Sequence, residues 1–386
     1  MESNYTQQDS SQHKCPNCGA PLRFDPKSGG LFCDHCQSVV KFEQSVNVQE
    51  REFDDLVTFQ QAKNSDVTCY RCSNCGAISV AARTALATKC PYCDSPVVIE
   101  DSTGSLVKPD TVIPFELTPQ EAADQLLKWR KRKYYAPRKF RKHVKENVVK
   151  GVFVPAWTFD AETSSDYDGQ VGYRRTRTVR RNGKTYTETY TEWRHVSGVL
   201  DKSFDDIVIR ANENVPANYF EKLKPFPQAK YRVYDDEYLA GFIADHYSLE
   251  PLDAYRQAKQ VMERAIREAI VELHNADVEG TINLDMHVLQ KSFKYLLVPV
   301  YIAATKYRNK IYNQYVSGVY SDDEKKVSKI SGKAPVSVWK VALTVLLGLG
   351  LVGLLGWLVY KSYLEGNMDI DVWSFVGNSF ARLIAK

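Results

Sequence analysis

"CPNCGAPLRFDPKSGGLFCDHC", Cys15 to Cys36, places two CxxC pairs fourteen residues apart. The same frame returns at Cys72–Cys93 as "CSNCGAISVAARTALATKCPYC", with every cysteine 57 positions after its counterpart. Two CxxC turns supply four thiolates, the soft tetrahedral set that Zn²⁺ prefers, and the spacer between them is long enough for the β-hairpin of a zinc ribbon. Glycine follows each N-terminal pair, at Gly19 and Gly76, and lets the backbone fold close beneath the metal. The spacing therefore assigns Cys15, Cys18, Cys33 and Cys36 to one Zn²⁺ and Cys72, Cys75, Cys90 and Cys93 to another, two ions per chain. Four thiolates leave no open position for an activated water, so both sites are expected to be structural. The ninth cysteine, Cys69, corresponds to Gln12 in the first copy and reads as a free thiol. His35, inside "CDHC", corresponds to Tyr92 and is not expected to ligate.

All nine cysteines fall between residues 15 and 93 of a 386-residue chain. That grouping suits reduced thiolates at metal sites rather than a disulfide framework. Residues 1–13 are polar, without an apolar signal segment, and read as a disordered tail. A net charge of +4 is too small to argue for nucleic acid by itself.

At the other end, "VALTVLLGLGLVGLLGWLVY" (Val341–Tyr360) runs twenty residues without a charge. As a helix it is about 30 Å long, the thickness of a bilayer's hydrocarbon core. Trp339, Trp357 and Tyr360 stand near its ends, where amphipathic rings favour the interface. The sequence thus predicts one transmembrane helix over 337–360. Lys325, Lys326, Lys329, Lys333 and Lys340 precede it and only Lys361 follows closely, which places the N-terminus in the cytoplasm of a single-pass cell-membrane protein. Beyond it, 361–386 reads as an external tail with Trp373, Val376, Phe380, Leu383 and Ile384 on one helical face.

Between the ends the reading is multidomain: zinc ribbon 1 over 14–40, a connector over 41–66, zinc ribbon 2 over 67–100, an α+β domain over 105–320 and a linker over 321–336. Phe53, Leu56, Phe59 and Ala62 give the connector a helical stripe. Thr118, Pro119 and Glu121 form a capping box that opens a helix, and a second helix spans 254–274. Asn182-Gly183 marks a hairpin that sets Arg177 opposite Glu188, Arg175 opposite Tyr190, and Thr176 and Thr178 opposite Thr189 and Thr187. An internal pseudo-repeat is also expected. "VFVPAWTF" (152–159) resembles "LLVPVYIA" (296–303), and "VSGV" occurs at both 196–199 and 316–319. The first copy would then carry a 24-residue hairpin extension.

Phosphate-cradling loops, zinc-protease helices and nucleophile elbows are missing from the sequence, so the chain is expected not to be an enzyme. The acidic runs 234–238 and 321–324 read as solvated loop charge. Residues 128–150 hold eleven lysines and arginines against one glutamate. Lys128, Arg130, Lys131, Arg132, Lys133, Arg138, Lys139, Arg141 and Lys142, interleaved with aromatic residues, form a candidate anionic-surface contact. Three readings stand beside one another: a single-stranded nucleic-acid binder, an attraction to anionic headgroups beside the membrane, and a plain solvated helix end.

The two ribbons "CPNCGA…CDHC" and "CSNCGA…CPYC", the "VFVPAWTFDAE" strand and the span after "SGKAP" resemble a family of bacterial membrane proteins. Its members carry transcription-factor-IIB-type zinc ribbons and often a primosomal-helicase-N′-like label. The resemblance implies a membrane adaptor or scaffold in envelope stress, with SPFH-type and phage-shock-protein-A-like proteins as partners, and the same eight cysteines as zinc ligands. The helicase label does not carry over, because the nucleotide-binding loops are missing. The expectation is an adaptor that localises partner proteins and touches membrane lipid; the competing one is a membrane-tethered single-stranded nucleic-acid binder.

Overall fold

The computed structural model describes residues 14–56, 59, 65–80, 87–98, 102–142, 149–181, 183–308 and 310–364. The tail expected over 1–13, and the C-terminal tail beyond Leu364, lie outside the described residues. The chain divides into two units, residues 1–129 with 143–333, and residues 130–142 with 334–386.

In the first unit the N-terminal ribbon is a three-stranded sheet: β1 (Leu22–Asp25), β2 (Gly30–Cys33) and β3 (Val39–Val40). After β4 (Arg51–Glu52) come the strands of the second ribbon, β5 (Ser65–Arg71), β6 (Ile78–Val80), β7 (Ala87–Lys89) and β8 (Pro96–Val98). Then follow β9 (Ser102–Leu106), β10 (Thr111–Val112), helix α1 (Pro119–Arg132), and the long strands β11 (Val149–Arg181) and β12 (Lys184–Arg210). β13 (Arg232–Val233), β14 (Ile243–Asp245), α2 (Pro251–Leu273), β15 (Val278–Tyr307), β16 (Lys310–Ser317) and β17 (Ile330–Gly332) complete the unit. Twelve of these strands form one mixed sheet.

Its spine is the antiparallel pair β11 and β15, which aligns the two Val-Pro segments with Val154 opposite Val298. Residues 152–159 and 296–303 are buried throughout. A strand covered on both faces reads as an unbroken apolar run rather than an alternation, and both segments do. Phe153, Trp157 and Tyr301 belong to a core with Phe59 and with Ala258, Met262 and Ile266 of α2. Val152, Val154, Val298 and Val300 belong to a second core with Phe220, Leu223 and Tyr92. The Trp157 indole N–H donates to Leu249 O at 2.9 Å, so burying this ring strands no polar group.

The prolines decide where flanking strands change. Proline has no N–H for a neighbouring strand. β12 accompanies β11 as far as Ala156 opposite Arg210, and β14 takes over in parallel at Val152 and Phe153. Likewise β16 accompanies β15 as far as Val300 opposite Ser317, and β10 takes over in parallel at Leu296 and Leu297. At each handover the proline carbonyl still accepts a bond, Pro155 O from Ala211 N and Pro299 O from Gly318 N, both 2.8 Å. The VSGV half of the expected repeat does not share a register. Val316 lies opposite Tyr301, beside its Val-Pro, whereas Val196 lies opposite Gly169, far up the hairpin.

The hairpin has the predicted pairing, with Arg177 opposite Glu188, Arg175 opposite Tyr190, and Thr176 and Thr178 opposite Thr189 and Thr187. Arg177 meets Glu188 at 2.8 Å, while Arg175 reaches diagonally to Glu192 at 3.2 Å. Both helices form where expected. Thr118 and Glu121 close the capping box in both directions, at 2.8 and 3.3 Å. α2 starts at Pro251 and buries a narrower stripe than its apolar positions suggest, since Val261 and Leu273 are exposed. The connector's expected helical stripe begins as a 3₁₀ turn, Phe53–Asp55, with Leu56 and Phe59 buried, while Ala62 lies outside the described residues. The stretch expected to be a linker, 321–336, supplies β17, which pairs with β16. Ribbon 2 is not a separate domain either: β6 pairs with β14, so its first hairpin extends the main sheet.

A classical two-against-one bulge separates the pairs Phe159–Ile207 and Ala161–Phe204 and gathers Asp160, Asp205 and Asp206, the last at φ +51°. Lys294, 2% exposed, places its ammonium 3.0 Å from Asp206, 3.0 Å from Glu50 and 3.3 Å from Asp160. Burial, reinforced by the neighbouring carboxylates, raises Asp160 to about 6, and the same carboxylates hold the Lys294 ammonium charged against its own burial.

In the second unit, residues 130–142 accompany helix α3 (Val338–Leu364). Its Val338–Leu358 segment has a mean hydropathy of 2.3 and no buried window, and is long and apolar enough to cross a membrane.

Removing the buried ammonium leaves Asp160 and Asp206 facing one another without a counter-charge. Lys294→Met is expected to destabilise the detergent-solubilised chain by about 3–5 kcal/mol, and adding Asp160→Asn to recover part of that loss. Thermal melting followed by near-ultraviolet circular dichroism measures both; an unchanged melting temperature in Lys294→Met would contradict the ion-pair account.

Candidate metal centres

Each ribbon is built from two copies of one backbone turn. In ribbon 1 the Cys15 N–H donates to Ala20 O at 2.7 Å and the Gly19 N–H to Cys15 O at 2.8 Å; in ribbon 2, Cys72 and Gly76 do the same at 2.9 and 2.8 Å. The C-terminal turns repeat it, Cys33 to Ser38 and Gln37 to Cys33, Cys90 to Ser95 and Asp94 to Cys90, all within 2.9–3.0 Å. The residue after the second cysteine is left-handed in all four, with φ +74° at Gly19, +60° at Gln37, +77° at Gly76 and +57° at Asp94. Glycine reaches this conformation freely, and Gln37 and Asp94 are held there by the turn.

These turns converge the predicted thiols. Sγ–Sγ separations are 3.5 Å for Cys15–Cys36 and Cys18–Cys33, 3.5 Å for Cys72–Cys93 and 3.6 Å for Cys75–Cys90. Within each set all four sulfurs lie within 4.8 Å of one another. A tetrahedron with Zn–S bonds of about 2.3 Å has edges of about 3.8 Å, so each set fits one zinc ion. Ligand type agrees, since four thiolates favour zinc over harder cations. In both ribbons the first cysteine of each pair is buried, while Cys18 and Cys75 are exposed. Cys69 lies in β5 with its backbone opposite Val80 and Ser102, and its side chain lies outside the described residues. His35 is exposed.

Two serines extend the motif to CxxCxS. The Ser38 hydroxyl lies 3.0 Å from Cys36 Sγ and 3.2 Å from Cys15 Sγ, and this bond draws Cys36 down to about 5. Ser95, 57 positions later, plays the same part. There burial pushes Cys93 up, but hydrogen bonds with Asn74 and Ser95 outweigh it and bring the thiol to about 6. Thiols disposed to ionise are ready metal ligands. The 57-residue correspondence was the signal for the pair of serines.

The ribbons differ in what lies behind the metal. Tyr92, inside the last pair of ribbon 2, is 4% exposed, and its hydroxyl donates to the Asp245 carboxylate of β14. Asp245, 2% exposed, also accepts from Ser79 Oγ at 2.7 Å, Asn212 Nδ2 at 3.1 Å and Asn214 Nδ2 at 2.9 Å. Burial raises the Asp245 carboxyl against the pull of these four donors. From β11, Lys150 donates to Lys89 O at 2.9 Å and lies 3.5 Å from Asp94, fastening the same turn to the sheet. Ribbon 1 is held by ring packing and a backbone bond: the Phe24 ring lies tilted 5.4 Å from Tyr238, and the Phe24 N–H donates to Ala240 O at 2.9 Å. Nothing in the sequence pairs Tyr92 with Asp245, 153 positions away.

Among the other expected site residues, Lys128, Lys131, Arg132, Lys133, Arg138, Lys139 and Lys142 are exposed. Arg130 is not a surface contact. It is 2% exposed, its guanidinium lies 4.5 Å from the Phe140 ring, and burial lowers it to about 10. Arg141 is half-buried. The acidic runs serve local structure: Asp235 caps a turn through Glu237 N at 3.1 Å, and Asp323 meets Lys230 at 2.9 Å. Of the Asp160–Asp205–Asp206 group, which sequence reading missed, Asp160 and Asp206 are paired with Lys294.

No protein-family model matches the chain, and no solved structure matches it. It is similar to "Uncharacterized protein YdjG" of Bacillus subtilis (strain 168), 28% identical over 336 residues, covering 86% of this chain and 92% of that protein.

The purified chain is expected to carry about two zinc ions, and Cys33→Ser about one, by plasma mass spectrometry; one ion in the unaltered chain would sink the two-site assignment. Asp245→Ala, which strands four donors, is expected to cost about 3 kcal/mol or more, while Asp245→Asn, with Ser79 turning to accept, costs far less. Denaturant unfolding distinguishes them.

Proposed function

We propose that this chain is a membrane-anchored zinc-ribbon adaptor that binds and localises partner proteins at the cytoplasmic face of the cell membrane. The carrying observation is the combination of two four-thiolate sites in one β-rich body with an apolar helix fit to span a bilayer. Four thiolates close a zinc site to substrate, so the metal's work is to hold small folds in shape. Binding, not turnover, is the role such a body suits. The lysines before the span support a cytoplasmic N-terminus.

The contact element best suited to a partner is the hairpin arm. Beyond residue 172, β11 leaves β15 and runs on paired with β12 alone, to Arg181 opposite Lys184. Tyr186, Tyr190 and Trp193 on this arm are exposed, 51%, 44% and 49%, the residue types that anchor interfaces. The family resemblance suggests SPFH-type and phage-shock-protein-A-like partners in envelope stress. The pseudo-repeat is part of this reading: Val154 opposite Val298, with parallel strands added at equivalent places, is the pairing a duplicated β-unit would give about a local two-fold axis.

Crosslinking in intact membranes followed by affinity purification in mild detergent tests the proposal. The expected result is recovery of an SPFH-type or phage-shock-protein-A-like protein, reduced several-fold by Tyr190→Ala with Trp193→Ala. Recovery of neither class would overturn the adaptor reading.

A further inference from the structure

The second unit joins two stretches nearly two hundred residues apart in sequence, the basic segment 130–142 and the helix fit to span the membrane. The join is specific. The Lys340 ammonium, in the first turn of α3, donates to Tyr134 O and Ala136 O, both at 2.8 Å, and lies 5.5 Å from the Tyr134 ring. One turn earlier, the Ser337 N–H donates to Tyr135 O at 2.8 Å. The segment is itself folded: the Lys133 and Ala136 N–H groups close tight turns, and buried Arg130 lies against Phe140, which pins both ends of the loop. A lysine at the start of an apolar helix ordinarily extends its charge toward water or headgroups. Here Lys340 is spent on the backbone carbonyls of the turn between two helical segments, and it fastens their cationic residues to the start of the apolar helix.

That placement favours the headgroup reading of the basic stretch. Lys131, Arg132, Arg138, Lys139 and Lys142 are exposed at the base of the span. Tyr134, Tyr135 and Trp339 are exposed beside them, 60%, 45% and 84%, and such rings favour the membrane interface. A polybasic segment held within a Debye length of an anionic leaflet is drawn to it, and interfacial rings fix its depth. We propose that residues 131–142, fastened by Lys340, form a collar that binds the headgroups of anionic phospholipids around the cytoplasmic end of the span.

The inference rests on the membrane-anchor reading, and the experiment separates the two. The full-length chain is reconstituted into nanodiscs of equimolar phosphatidylglycerol and phosphatidylcholine, and the lipids it retains after extraction into detergent are counted by mass spectrometry. The expected result is enrichment of phosphatidylglycerol, weakened about tenfold or more in K131Q/R132Q/K139Q/K142Q and by raised salt. K184Q with R180Q, on the hairpin of the first unit, leaves the enrichment unchanged. Amide exchange at 131–142 slows in the mixed nanodiscs relative to pure phosphatidylcholine in the unaltered chain only. Equal retention of the two lipids, or enrichment untouched by the quadruple substitution, overturns the collar. A salt-sensitive shift of single-stranded DNA lost in the same variant, without lipid enrichment, assigns the surface to nucleic acid and overturns it too. Failure of the chain to enter any nanodisc overturns the anchor itself.

Discussion

Two missing amide protons organise the large sheet. Pro155 and Pro299 sit in its two central strands, where proline is rarely accepted because a neighbouring strand would lose a ladder bond. Here each neighbour ends at the proline and a different, parallel strand takes over on the far side. The two hairpins can therefore lie on opposite halves of the central pair, β12 beside β11 on one and β16 beside β15 on the other, with a short parallel strand filling the remaining edge of each half. Burial on both faces of the Val-Pro segments supplies the energy that holds this arrangement, at about 1.5–3 kcal/mol for each large apolar side chain buried.

The handover on β11 is what gives ribbon 2 its seat. β14 pairs with β11 on one edge and with β6 on the other, so the first hairpin of ribbon 2 becomes part of the main sheet. Asp245 then lies behind the metal, where Tyr92, Ser79, Asn212 and Asn214 satisfy it. A buried carboxylate without these donors would be costly, so the network holds ribbon and sheet in one registration. Ribbon 1 has the same thiolate geometry but an apolar attachment through Phe24. Two sites that match in thiolate geometry thus differ in how they are tied to the rest of the molecule, by a buried carboxylate network in one and by ring packing with a backbone bond in the other.

Charge is handled in three distinct ways. On the hairpin arm, arginines meet glutamates across the strands at the surface, where such pairs add little stability but keep the arm soluble. At the bulge, one buried lysine answers three carboxylates. On the segment 131–142 the exposed cations are concentrated on two helical ends either side of one turn, whose carbonyls hold it to the start of the apolar helix.

Features set by neighbours in the chain were legible from sequence alone. The CxxC turns depend on bonds spanning four or five residues, so cysteine spacing located both thiolate sets. The Asn182-Gly183 signal and alternation fixed the hairpin register residue by residue, Thr118 with Glu121 set the start of α1, and an uncharged twenty-residue run marked α3. The VSGV echo misled because four residues carry too little information to fix a register along strands this long. Tertiary structure alone decided that 330–332 is a strand, that ribbon 2 is continuous with the sheet, that Tyr92 answers Asp245, that Lys294 meets Asp160 and Asp206 at the bulge, and that Arg130 is buried while Lys131 and Arg132 are exposed. Each of these depends on groups brought together across tens to hundreds of residues, and no local pattern encodes which buried polar group will find which partner once the core has closed.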